Sequence, residues 1–182
     1  MKTDWSRIAR RIRVPLGFAF AIVFLCLAQP SPASILWSLL LVAPGIALRA
    51  YASGYVKKNR ELAVTGPYAH TRNPLYLGSL AIALGFAVAA RNWWVLAGIA
   101  ILFFAIYLPV IRAEEEFLRG IFPGFDDYCR RVPRLLPRLT PGMHGEAGKF
   151  SPALYRNHHE YNALMGAATL YAALLVRLHF RQ

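Results

Sequence analysis

The sequence predicts an all-α membrane protein of about five transmembrane helices, arranged as two hairpins plus a C-terminal helix. Three observations predict this fold. Of 182 residues, 57% are hydrophobic and only 16% charged, whereas a soluble domain carries roughly a quarter of charged residues. The apolar residues gather in runs long enough to be helices in lipid. The lysines and arginines behind the net charge of +12 fall in the gaps between those runs, where membrane topology places them.

The first run covers residues 14–28 and follows Arg10, Arg11 and Arg13; a QPSP turn leads to the second, 35–51. Together they predict a tight helical hairpin. The third run (75–90) and the fourth (93–111) are separated only by Arg91 and Asn92, which predicts a second hairpin. A fifth run, 161–176, follows a long polar stretch. Several runs are shorter than the roughly 20 residues that span a hydrocarbon core, so snorkelling arginines, interfacial Trp and Tyr, or local thinning make up the length. The basic N-terminus resembles the start of a signal peptide, but AQPSPAS is a poor cleavage pattern, so the first helix is read as retained. The whole chain, 1–182, reads as one integral membrane domain.

Lys and Arg also set the orientation. The N-terminus, the 52–74 loop (Lys57, Lys58, Arg60, Arg72) and the 112–157 segment are basic, while the turns at 29–34 and 91–92 carry one arginine between them. The N-terminus and both polar segments are therefore expected in the cytoplasm. Arg177 and Arg181, near the end of the fifth run, argue against its C-terminus lying outside, and favour an interfacial or partly inserted helix. With the basic residues accounted for by topology, nucleic acid is not an expected partner. Cys26 and Cys129 sit in different environments without a second cysteine at ligand spacing, so no disulfide framework or zinc site is implied.

Two polar elements interrupt this apolar chain. The first is ELAVTGPYAHTRNPLYLG, 61–78. Gly66-Pro67 is a turn signal; Asn73-Pro74 reads as an N-cap followed by proline at the first helical position, leaving backbone N–H groups at a helix start that attracts anions. Arg72 adds a planar donor fork, and Tyr68 and Tyr76 add amphipathic rings. The second is IRAEEEFL, with Arg112, Glu114, Glu115 and Glu116 on different faces of an emerging helix. At i, i+4 spacing Arg112 pairs with Glu116 and Glu115 with Arg119. Carboxylates at the edge of an apolar bundle are costly to place, which makes Glu114 and Glu115 site candidates; Glu116 reads as a solvated collar. Pro109, one turn earlier, opens or bends the helix. His158 and His159 point in different directions on a helix and are read as an interfacial start, so no metal is expected.

GPY, then RNPLYLG, then a hairpin, then EExxL and FPGFDDYCRRVPR in that order resemble the isoprenylcysteine carboxyl methyltransferase family and its phospholipid methyltransferase relatives. The resemblance covers 57–138, leaving 139–182 as linker and C-terminal helix; Asn73 stands where the family often has histidine, and Glu61 where some members have one. It implies an integral membrane enzyme with a cytosolic-edge pocket for S-adenosylmethionine. On the matching positions, the cofactor is held by Glu61, Leu62, Ala63 and Val64 before GPY, by Tyr68, by Arg72, Asn73, Pro74 and Tyr76, and by a glutamate of the pair, Glu115 or Glu114. The same resemblance gives Arg112 an anionic head group to hold. The acceptor comes from lipid; a carboxylate acceptor needs no base, whereas an amine needs Glu114 or Glu115 as one. The alternatives are an NADPH-dependent sterol-type membrane reductase, usually a longer chain, and a non-catalytic lipid-binding scaffold that leaves the spacing of the two polar elements unexplained.

Overall fold

The computed structural model describes residues 2–57, 60–143 and 148–180; Lys58, Arg181 and residues 144–147 of the expected linker lie outside them. Among the described residues every regular element is helical: α1 (Lys2–Leu27), α2 (Pro32–Ser53), a 3₁₀ turn (Gly66–Ala69), α3 (Pro74–Ala90), α4 (Trp93–Leu102), a π turn (Phe103–Tyr107), α5 (Leu108–Ile121), α6 (Phe125–Arg131), α7 (Pro152–Asn157) and α8 (Tyr161–His179). Pro32–Ser53, Trp93–Ile121 and Tyr161–His179 are long and apolar enough to cross a membrane, while Val14–Leu27 and Pro74–Ala90 are shorter apolar helices. Trp37, Trp93, Trp94 and Phe104 stand exposed on the outer faces, a surface that suits lipid rather than water.

Both hairpins form, each for a local reason. Ser31 caps α2 by accepting from the Ser34 amide, and Ser34 returns the bond to the Ser31 amide; proline at the first helical position completes the start. In the second hairpin Arg91 takes the left-handed conformation that ends α3 (φ 51°), and Asn92 caps α4 by accepting from Trp94 N at 2.9 Å. The Asn92 amide also reaches the Leu27 carbonyl at 3.1 Å, tying this turn to the end of α1.

The two hairpins meet where α2 and α3 cross. Gly45, Gly78 and Gly85 make the crossing close: a Cβ on Gly78 would sit 2.7 Å from the Gly45 carbonyl oxygen, and one on Gly45 2.8 Å from that of Gly78. Small residues of this kind bring helix backbones together in lipid. Phe24, Val42, Phe86, Ile99 and Leu174 pack the core around this contact.

The fourth helix runs on past the apolar segment to Ile121, through the π turn, as one span of 29 residues. Pro109 explains the irregularity. It has no N–H to offer the carbonyl four residues back, that of Ala105. The Trp5 indole of α1 donates to that carbonyl instead, at 3.0 Å. At the opposite end of the bundle, Arg177 of α8 donates to the Ala28 and Cys26 carbonyls at 2.7 and 2.8 Å. Arg177, one of the two arginines near the end of the fifth run, is thus occupied with the carbonyls closing α1.

Candidate functional site

The polar end of the bundle, where α2 and α5 finish and α3 and α8 begin, holds the site. The chain leaves α2, makes the 3₁₀ turn at GPYA, and enters α3 through Arg72 and Asn73. Asn73 stands in the N-cap position but does not cap; the side-chain bond expected there is absent. Its amide donates to Glu115 Oε1 at 3.2 Å and to the Arg134 carbonyl at 3.0 Å, so a neighbouring carboxylate and a distant loop have outcompeted the local amides.

Glu115 is the hub. It is buried (5% exposed) at the end of α5, and each of its two oxygens has polar partners. Oε2 accepts from Arg134 Nε and lies 2.8 Å from Arg134 Nη2, while Oε1 lies 3.2 Å from Arg72 Nε. The Arg72 contact is charge proximity alone: its buried Nε makes no hydrogen bond. Glu114, one position earlier, faces elsewhere and accepts from the Tyr76 hydroxyl at 2.9 Å. The expected Glu115–Arg119 pair is not formed, because Arg119 turns to Asp126 at 2.7 Å.

A strap running from residue 133 to residue 142 closes the site. Pro133 O accepts from Arg72 N at 2.9 Å, Leu135 O from the buried Thr71 hydroxyl at 3.0 Å, and the Arg138 and Gly142 amides donate to His70 O and Ala69 O. Below it, Phe125, Tyr128 and Val132 form a small core with Val64 and Leu118, and Tyr128 donates to the Tyr68 carbonyl at 2.7 Å. Burial is the leading cause that raises both the Tyr68 and the Tyr128 phenols well above their usual range, so both stay protonated. For Tyr68 the nearby carboxylates of Glu160 and Glu114 add to this effect, and Arg49 opposes it.

These elements enclose a cavity of about 430 Å³, inside the usual range for small-molecule sites. Of the residues singled out in the sequence, Glu61, Leu62, Ala63, Tyr68, Arg72, Asn73, Pro74, Tyr76, Glu114 and Glu115 line it. Val64 does not; it packs into the core beneath. Arg112 is exposed and is not among the lining residues. Glu61 reaches the rim, where it pairs with Lys57 at 2.7 Å and is more than half exposed. Phe117, which the sequence reading did not assign to the site, lines it together with Phe122 and Phe125. Arg134 was also missed: its position at the end of the VPR motif was visible, but its counting as a topological charge hid its role. His158 and His159 are engaged elsewhere, near the Ser53 carbonyl and the Tyr161 hydroxyl.

The match to the family model for phospholipid methyltransferase spans residues 17–124, from α1 to the linker before α6. The chain belongs to the phospholipid methyltransferase family. The chain is also similar to the cobalt-zinc-cadmium resistance protein CzcN of Cupriavidus metallidurans and to the nickel-cobalt-cadmium resistance protein NccN of Alcaligenes xylosoxydans xylosoxydans. They are 41% and 40% identical to this phospholipid methyltransferase family member over 90 residues, half of this chain. The aligned stretch spans 41% of the length of each relative. No solved structure matches the chain. Among the described residues, no three His, Cys, Asp or Glu side chains are grouped to hold a metal ion.

Proposed function

We propose that this membrane protein transfers a methyl group from S-adenosylmethionine to the polar head of a lipophilic acceptor, at the cytoplasmic face of the membrane. One observation carries the reading: Arg72 and Tyr76 at the start of α3, and Glu114 and Glu115 at the end of α5, line a single cavity, and Tyr76 also lines an apolar crevice of about 130 Å³ between α1, α3 and the fourth helix. A polar donor and a greasy acceptor have adjoining spaces there.

The residues present fit the cofactor. Arg72 lines the cavity with a guanidinium whose Nε faces Glu115, a planar donor group suited to a carboxylate. Tyr68 and Phe122 offer aromatic faces suited to an adenine ring or a sulfonium. Bound there, S-adenosylmethionine would supply an electrophilic methyl group on a positively charged sulfur. Catalysis then consists of positioning in a water-poor space, with no covalent intermediate on the protein.

The two glutamates take different tasks under this reading. Glu115, with its oxygens occupied by Arg72, Arg134 and Asn73, holds the cavity's shape and charge. Glu114, bonded to Tyr76 at the junction with the apolar crevice, is the carboxylate placed to exchange a proton. An amine head transfers its proton to Glu114 as the methyl arrives; a carboxylate head gains the methyl with no proton to lose. Arg112, outside the cavity, is left to contact lipid phosphate.

Calorimetric titration of the detergent-purified protein tests the reading. Saturable binding of S-adenosylmethionine and none of NADPH is expected. The reverse result replaces methyl transfer with a reductase, and binding of neither leaves a lipid-binding scaffold.

A further inference from the structure

A second cavity, of about 390 Å³, lies between α1, α3 and α8. Along it, Asn162, Gly166 and Leu170 of α8 stand opposite Gly17, Phe20 and Phe24 of α1, both series at one-turn spacing. From residue 162 to residue 170 the groove descends about 12 Å at a rise of ~1.5 Å per residue, close to the roughly 15 Å depth of one leaflet's hydrocarbon. Its walls are apolar except at the end nearest the first cavity, where Arg49, Ser79 and Asn162 line it. Arg49 donates to both oxygens of Glu160 at 3.1 and 2.8 Å and to the Ser79 hydroxyl, while its buried Nε makes no hydrogen bond.

The groove is continuous with the proposed reaction site. It shares Gly17, Phe20, Ser79, Ala83 and Ile99 with the smaller apolar crevice, and that crevice reaches the cofactor cavity at Tyr76. The glycines have a distinct use here. Gly45, Gly78 and Gly85 are glycine because backbone lies against them, whereas a Cβ on Gly17 or Gly166 would meet nothing within 4 Å. Glycine at these two positions leaves width between α1 and α8. Since α8 lies beyond the family-matched residues 17–124, this wall belongs to the chain's own C-terminal part.

We infer that the α1/α3/α8 groove receives the apolar chain of the methyl acceptor, that its polar end at Arg49 and Ser79 leads the head group on towards Tyr76, and that Gly17 and Gly166 set the bulk of chain admitted. The identity of the occupant as acceptor rests on the methyl-transfer reading. The test uses the full-length protein in mixed micelles with a single-chain amphiphile bearing a diazirine on its tail, with cross-linked peptides mapped by mass spectrometry.

Labelling should concentrate on residues 14–27 and on α8. In Gly17→Leu and Gly166→Leu it should fall about tenfold, the effect of ~1.4 kcal/mol of steric exclusion, while affinity for S-adenosylmethionine is unchanged. Gly120→Leu, at a glycine equally free of neighbours but outside the groove, should leave labelling intact. Undiminished labelling in both groove variants, or labelling spread over exposed positions such as Trp93 and Trp94, overturns the inference. Groove labelling in a wild-type protein that binds no S-adenosylmethionine overturns the methyl-transfer reading and the occupant's identity as acceptor, so the two failures are distinct.

Discussion

Glu114 and Glu115 are neighbours in sequence and differ in every contact. Replacing Glu115 with Gln leaves the Arg72 and Arg134 guanidiniums facing a neutral amide; removing one partner of a buried ion pair costs about 3–5 kcal/mol, and the partial exposure of Arg134 (41%) puts the expected loss near the low end. Equilibrium denaturation in detergent measures it. Glu114→Gln should leave stability nearly unchanged and lower the rate of methylation of an amine acceptor by about 10²–10⁴-fold, the usual contribution of a general base; a carboxylate acceptor should be affected far less. The buried phenols give a pH prediction. Because burial raises Tyr68 and Tyr128 above the ordinary value, the folded protein retains protons that the unfolded chain releases. Their stabilisation is complete below about pH 10 and fades as the pH climbs beyond it. Tyr128→Phe should weaken that alkaline dependence, followed by ultraviolet phenolate absorbance alongside unfolding, at a cost of about 1 kcal/mol for the lost bond to the Tyr68 carbonyl. At this scale the sequence revealed residue types better than partners. Arg72, Tyr76 and the glutamates stood out because they interrupt apolar runs; the Asn73 cap was misread because its amide is claimed by Glu115 and by a carbonyl 61 residues away.

Among the elements, the α2–α3 crossing is the most exacting. Gly78→Leu would drive a side chain into the Gly45 carbonyl and the Arg49 side chain, the nearest atoms to any Cβ at that position. The expected outcome is a protein that fails to accumulate in the membrane, whereas Gly120→Leu accumulates normally; quantitative immunoblotting of membrane fractions separates them. The helices themselves were legible because their apolar runs are long and their turns carry Ser31, Asn92 and proline at helix starts. Their true extents were not. The first helix continues back to Lys2 and the fourth on to Ile121, since polar residues can prolong a helix beyond lipid without changing its backbone bonding. The π turn was visible only as a proline; that Trp5 would supply the donor missing at Ala105 depends on a contact 100 residues apart.

For the molecule as a whole, ligand linkage is the simplest test of a working cofactor cavity. At a hundredfold excess over its dissociation constant, a ligand that binds only the folded form adds about 2.7 kcal/mol of stability. S-adenosylmethionine should therefore raise the unfolding midpoint in detergent, and the rise should vanish in Arg72→Ala. The bundle's class and the cavity's two main contributors could be read from periodicity and charge placement. The strap from residue 133 to residue 142 could not, because nothing local in a Pro- and Arg-rich stretch says which backbone it will pair with. That strap has a further consequence. Its bonds to residues 69–73 join parts of the chain about 60 to 75 positions apart, so during translation the cavity stays unfinished until residues well past the second hairpin have left the ribosome. A nascent chain arrested before Arg134 has its greasy hairpins but no clasp around Glu115, so the cavity can take its shape only once the strap has emerged.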